Sequence, residues 1–262
     1  MKHLKLLPIL LLLLSLNKIS AQTTIKTIKK RGYIKVGTTE NQIPFTFRDD
    51  NNKLLGIDID LASKLAKEMN VKVKFVKIEL ANLIDSLING NIDIIFSGFS
   101  ITTSRNMDVL FTQPYYETGK GIISKMKKLN SGKIKNINNE DVKLVAVKNS
   151  SSVDYIKNKY PKAKLIIKEN GDKCVDALKN GEADAMITDY ENCETIFYYS
   201  DLKGDYDYTL LDNEKGVEHE YIGAAVSYKD IIFYNLINNF LMKIDRNNDM
   251  SIIKKSWEKY TE

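Results

Sequence analysis

A chain of 262 residues with a formal charge of +5 and 28% charged residues is long enough for one large or two small domains. Its lysines are scattered among acids, as on solvated faces, which leaves no case for nucleic-acid binding. His3 and His219 stand apart from each other and from Cys174 and Cys193, so no ligand cluster for a metal is written here, and no cofactor is expected.

The first segment, MKHLKLLPILLLLLSLNKISAQ, has the order of an export leader: Lys2 and Lys5, then an apolar run from Leu6 to Leu16. The run is short for a membrane span, and Ala21 is a small residue suited to the last position before cleavage. Cleavage is expected after Ala21, and no cysteine follows for lipid attachment. The protein should reach the periplasm without a lipid anchor, and its charge should fall toward neutral as three lysines leave with the leader.

Tyr33–Thr38 reads as a strand, Asp58–Asn70 as a helix with Leu61, Ala62, Leu65, Ala66 and Met69 on one face, and Val71–Val76 as a strand. Leu80–Asn89 is the next helix and Ile92–Phe96 a buried strand. This alternation predicts an α/β sheet. Ser97, Gly98 and Ser100 then place small polar groups where the strand leaves the sheet. Thr102 is the expected N-cap of a helix that carries Arg105. A guanidinium beside free N–H groups suits a carboxylate; the simpler alternative is an ion pair between Arg105 and Asp108. Glu117, Thr118 and Gly119 form a candidate hinge, and Lys127–Glu140 an exposed loop. A second α/β series starts at Leu144, with a helix near Val153–Lys159, a strand at Lys164–Ile167, and a helix, strand and helix after it. Ile222–Val226 is the expected return strand. Ile231–Ile244 and Asp249–Tyr260 are amphipathic helices. Export permits a disulfide between Cys174 and Cys193, but two separate buried thiols are the expectation.

One internal echo orders the site. Leu87–Gly98 reads LINGNIDIIFSG, and Leu178–Asp189 reads LKNGEADAMITD. Both place Asn-Gly and then Asp ahead of an apolar strand, so Gly98 corresponds to Asp189. Ligands of open α/β sheets bind beyond the carboxyl ends of strands. Two lobes facing one cleft would offer Arg105 to an α-carboxylate and Asp189 to an α-ammonium.

Several motifs point the same way: Gly37-Thr38-Thr39 with Pro44-Phe45, Gly56-Ile57-Asp58-Ile59-Asp60-Leu61-Ala62, Asn89-Gly90 with Ile92-Asp93, Ser97 to Thr102 with Arg105, and Phe111-Thr112 with Pro114-Tyr115-Tyr116. In combination they resemble the bacterial extracellular solute-binding proteins of family three, the polar amino acid receptors of ABC importers. The resemblance runs from about Ile25 to Tyr260. It implies a type II periplasmic binding protein, with two α/β lobes that are each a mixed sheet flanked by helices, joined by two hinge strands. After a leader over 1–21, lobe one would hold 22–117 and 223–262, and lobe two 118–222. It also implies a monomer that traps an amino acid by hinge closure and docks to a membrane permease.

Carried over by position, Arg105 matches the arginine that grips the α-carboxylate and Asp189 the acid that holds the ammonium. Gly98 and Ser100 match positions whose backbone meets the head group, and Ser151 and Ser152 stand where the family often has two threonines. Thr39 and Phe99 are expected to border the pocket. Gln42 and Leu80 stand where many members have aromatic rings, which favours a polar or small ligand side chain. The same fold includes the cyclohexadienyl dehydratases. Their acid lies three positions after the equivalent of Asp189, where this chain has Asn192, with Glu191 one residue early. A neutral amide is no general acid, so binding without catalysis is the expectation. Service to a membrane sensor in place of a transporter is a further alternative.

Overall fold

The computed structural model describes residues 24–125, 137–200, 202, 204–213, 216–217 and 219–257. The leader and most of the expected 127–140 loop lie outside them. Among the described residues no helix is long and apolar enough to cross a membrane.

Two five-stranded sheets organise the chain. The first uses β1 (Tyr33–Thr38), β2 (Lys72–Lys77), β3 (Ile94–Ile95), β4 (Val109–Phe111) and, from far along the chain, β12 (Ala225–Ser227). The second uses β6 (Lys120–Lys125), β7 (Lys143–Val147), β8 (Lys164–Lys168), β9 (Ala185–Asp189) and β10 (Tyr206–Leu210). Their orders are β2-β1-β3-β12-β4 and β8-β7-β9-β6-β10. In each, three parallel strands are followed by a fourth that runs against them, and the fifth pairs antiparallel with the fourth. The fourth strand of each sheet is delivered by a crossing segment. β5 (Tyr116–Thr118) leads out to β6, β11 (Glu220–Ile222) leads back to β12, and the two pair antiparallel with Tyr221 opposite Glu117.

Apolar periodicity builds the layers. In α2 (Ile57–Glu68), Ile57, Leu61, Ala62, Leu65 and Ala66 are buried at helical spacing. They pack with Ile34, Val36 and Phe96 of the first sheet and with Phe233, Ile237 and Leu241 of α8 (Ile231–Arg246). The other face of that sheet meets Leu83 and Leu87 of α3 (Leu83–Ile88), together with Ile92 and Phe99. Leu144, Val145 and Ala146 of β7 are all buried, as befits a parallel strand covered on both faces. Separate apolar clusters lie on the two sides of the second sheet. One contains Cys174 of α6 (Gly171–Lys179) and Cys193 of α7 (Tyr190–Tyr199), both buried free thiols. Burial pushes the Cys174 thiol up to about 12.

The internal echo is structural. α3 and α6 end at Asn89 and Asn180, and Gly90 and Gly181 follow, each with φ of 72°. Asp93 and Asp184 then make the same pair of bonds to the neighbouring strand. Asp93 donates its N–H to the Lys35 carbonyl at 2.9 Å and accepts the Lys35 N–H at 2.7 Å. Asp184 does so with Lys143 at 2.8 and 2.9 Å.

Three elements differ from the sequence expectation. The return strand is not continuous over Ile222–Val226. At Gly223 the backbone N–H turns to the Phe99 carbonyl, which separates β11 from β12. The Leu80–Asn89 helix opens with a 3-10 turn over Leu80–Asn82. The helix carrying Arg105 is a single turn, α4 (Thr103–Asn106).

Gly56 has φ of 129°, and a Cβ there would lie 2.1 Å from the Phe45 carbonyl oxygen. The next two N–H groups bond the carbonyls of Pro44 and Phe45, which seats the first polar turn on α2. Gly56→Ala is therefore expected to lower stability by about 2–3 kcal/mol. Urea unfolding measures this, and a loss under about 0.5 kcal/mol, the level of an ordinary surface change, would contradict the packing.

Candidate functional site

The carboxyl ends of β1, β3, β7 and β9 converge between the two sheets. After β1, the Thr39 N–H donates to Ser97 Oγ at 3.0 Å, and the two hydroxyls lie 3.1 Å apart. After β3, Gly98 takes φ of 51°, where a side chain is strained. A Cβ would also come within 2.7 Å of both Gln42 Nε2 and Phe45 Cδ2. Gln42 Nε2 reaches the Gly98 carbonyl at 3.4 Å, and Asp58 Oδ2 accepts the Gly98 N–H at 2.5 Å.

Arg105 follows one turn later. Thr102 caps α4 by accepting the Arg105 N–H at 3.2 Å, as expected of a threonine there. The guanidinium is buried, with Cζ 3.9 Å from the centre of the Phe99 ring. Phe99 in turn stacks on Phe111 at 5.4 Å. Nη1 donates to the Ser100 carbonyl at 2.8 Å, and Nη2 to the Asn149 carbonyl of the second sheet at 2.9 Å. Asp108 is exposed and meets Arg105 only through backbone, so the simple ion pair is not formed. Asp189, Glu220 and Asp154 act on Arg105 only through their field. Burial lowers its pKa to about 10, which leaves it charged at neutral pH.

The second side begins at Asn149, whose φ is 58°. Asn149 makes a sharp left-handed turn, and Ser150 then occupies the cap position of α5 (Ser151–Lys159). The Ser150 hydroxyl does not turn back onto that helix, and its buried oxygen has no partner. Ser151 and Ser152 open the helix and are buried. Ser151 Oγ meets Ser100 Oγ across the cleft at 3.2 Å.

Asp189 ends β9 and is buried, but it is not a free carboxylate. Lys120, its cross-strand neighbour on β6, pairs with it. Lys120 Nζ also pairs with Glu220 and donates to Ser151 Oγ at 2.6 Å. Burial, followed by the Glu220 charge, pushes Asp189 up to about 7. Burial acts on Glu220 in the same sense, but Lys120 and the bond with Asp189 outweigh it and hold Glu220 below its usual value. Asp189 is thus the acid that keeps a proton longer. Lys120 stays charged because the two carboxylates outweigh its burial.

Thr39 and Gln42 line one space and Phe99 and Arg105 another, while Asp189, Gly98, Ser100, Ser151 and Ser152 border neither. Thr39, Gln42 and Leu80 border a cavity of about 260 Å³ with Thr188 and Asn192. Phe99 and Arg105 border another of about 420 Å³ with Asn149 and Ser150. Contacts across the cleft border the second cavity, including Ser104 Oγ to Asp154 at 2.8 Å and Asn149 Nδ2 to the Ala81 carbonyl at 3.1 Å. Lys120, Glu220 and Asp58 were not singled out from sequence as site residues. The signal for Lys120 is its place one residue past the hinge glycine, but its role depends on register with Asp189. Glu191 turns to the Thr118 hydroxyl of β5, while Asn192 lines the cavity.

Residues 34–260 match the family model for bacterial extracellular solute-binding proteins, family 3. The chain belongs to this family. It is 30% identical over 250 residues to the ABC transporter glutamine-binding protein GlnH of Bacillus subtilis, across 93% of this chain and 87% of that one. It is 25% identical over 181 residues to the cyclohexadienyl dehydratase of Pseudomonas aeruginosa, across 69% and 68%. The crystal structure of an ancestral amino acid-binding protein, a precursor of cyclohexadienyl dehydratase, superposes with a TM-score of 0.77 at 33% identity, across 90% of this chain and 99% of that one. The two sheets with their crossing pair are the two-lobed periplasmic amino acid-binding fold expected from the sequence.

Asp58 supplies a pH test. Its carboxylate also accepts the Tyr115 hydroxyl at 2.7 Å, yet burial dominates and pushes its pKa up from 3.8 to about 7. The folded chain holds this proton more tightly than the unfolded one. Asp58 therefore contributes stability below about pH 4 that is lost as pH rises to about 7. Relative to the wild type, Asp58→Asn should gain stability as pH rises through that window, read by urea unfolding at several pH values. A pH-independent difference would contradict the assignment.

Proposed function

We propose that this chain is the extracytoplasmic receptor of an ABC importer and traps the head group of a polar L-amino acid between its lobes. The lobes divide at residues 117/118 and 222/223, on the paired crossing strands, which are the hinge. Arg105 receives the α-carboxylate, helped by Ser100 and the start of α5 at Ser151 and Ser152. Asp189 receives the α-ammonium, beside the Gly98 carbonyl. Thr39, Gln42 and Phe99 border the ligand. The leader is cleaved after Ala21, and a monomer without lipid anchor works in the periplasm and presents its closed form to a membrane permease.

The observation that carries this reading is the buried guanidinium of Arg105, whose hydrogen-bond partners among the described residues are only carbonyl oxygens. Five N–H donors with a full charge match a bidentate carboxylate better than two carbonyls do. Reaching the ligand from both lobes at once requires the lobes to meet, as they do at Ser100 and Ser151. Removing one partner of a desolvated charge pair costs about 2–5 kcal/mol. Arg105→Ala should therefore weaken amino acid binding by roughly 30-fold or more, measured by calorimetry on the amino acid that gives the largest thermal shift. Unchanged affinity would remove Arg105 as the anchor.

The dehydratase relative defines the competing reading. Turnover of prephenate needs an acid at the substrate, and the cavity presents the amide of Asn192 there, with Glu191 held at the hinge. Incubation with prephenate or arogenate should yield no phenylpyruvate or phenylalanine. Steady formation of either, lost on Glu191→Gln, would establish an enzyme in place of a receptor.

A further inference from the structure

Resting on the amino acid reading above, we infer that Lys120 and Glu220 are specificity-determining residues. They hold the fixed charge around the head group at zero, so the site accepts a zwitterion in preference to a cation or an anion.

Geometry makes Lys120 a permanent member of the site. Lys120 and Asp189 are paired in register on adjacent antiparallel strands. Glu220 comes from the return crossing strand, where it faces Thr118, two residues ahead of Lys120. The three side chains are only 4%, 10% and 12% exposed. Ser151 Oγ completes the surroundings of Nζ and links the cluster across the cleft to Ser100. Arg105 feels the field of both Asp189 and Glu220. Above about pH 7, where Asp189 has lost its proton, the four groups are one electrostatic unit of two cations and two carboxylates, and the binding test is run there.

Nearby charges are committed elsewhere. Asp58 lies behind Gly98 with Tyr115, and Glu191 turns to Thr118. Glu40 pairs with Arg48. Asp154 also acts on Arg105 through its field, but it is partly exposed, so solvent screens it, and Ser104 bonds it; the exposed His219 pairs with Glu117. A buried site tolerates an unbalanced charge poorly. A zwitterion adds no net charge, whereas an α-amide adds a positive one and a des-amino acid a negative one.

The rule predicts opposite errors for opposite lesions. Lys120→Met leaves the site with one excess negative charge and should shift preference toward the α-amide. Glu220→Gln leaves one excess positive charge and should shift preference toward the des-amino acid. The double variant sums to zero again and should return the preference to the amino acid. The test is calorimetry of wild type and the three variants at fixed pH and ionic strength. The probes are L-glutamine, L-glutaminamide and glutaramate, and L-arginine, L-argininamide and des-amino arginine.

Each single variant should change the affinity ratio of its favoured analogue to the amino acid by about tenfold or more relative to wild type. Folding is checked by circular dichroism. Glu220→Gln and the double variant carry the rule should Lys120→Met not fold. A merely structural role would weaken all three probes together and would not be rescued in the double variant, and that result would overturn the inference. If the wild type binds an amino acid but every folded variant keeps its order of preference, this inference alone fails. If the wild type binds neither these probes nor any other amino acid in a thermal-shift screen, the amino acid reading falls with it.

Discussion

Desolvating a guanidinium costs free energy unless hydrogen bonds and counter-charge replace the lost water. Arg105 receives half of that compensation. Its ring contact with Phe99 and its bonds to the carbonyls of Ser100 and Asn149 fix its position. The neutralising charges act on it from beyond bonding distance. A cation held rigid, dry and incompletely neutralised is poised for an anion. Much of the surrounding structure reads as support for that state: the Thr102 cap, the Phe99–Phe111 stack, the left-handed turn at Asn149, and the buried serines that meet across the cleft.

The sheet topology explains how such a site opens and closes. Each sheet takes its fourth strand through a crossing segment, and among the described residues the β5–β11 pair is the backbone that passes between the two sheets. Bending there moves Asn149, Ser151 and Lys120 relative to Ser100 and Arg105. The Lys120–Asp189–Glu220 cluster sits where the crossing pair enters the second sheet, so on the proposed reading the charge balance of the head-group site is tied to the hinge.

Local chemistry was legible in the sequence, and chemistry set by register was not. Thr102 before a turn carrying Arg105 reads directly as a cap, and the Asn-Gly and Asp spacing predicts two equivalent helix–strand units, which the bonds of Asp93 and Asp184 bear out. Asp58 was visible within a motif, but its partner Gly98 lies 40 positions away. Lys120 is not legible as a site residue because its partner Asp189 is 69 positions distant and meets it only through strand pairing. The helix at Arg105 is one turn because β4 begins at Val109, and the expected return strand breaks because Gly223 bonds the Phe99 carbonyl between the β5 pairing of Ile222 and the β3 pairing of Ala225.

The most direct test of the account is a crystal structure of the mature chain grown with the amino acid that most raises its melting temperature. An α-carboxylate oxygen should lie within about 3 Å of an Arg105 Nη atom, with the α-ammonium bonded to Asp189 and the lobes closed around both. A bound amino acid whose carboxylate lies elsewhere, with Arg105 still bonded only to the Ser100 and Asn149 carbonyls, would contradict it.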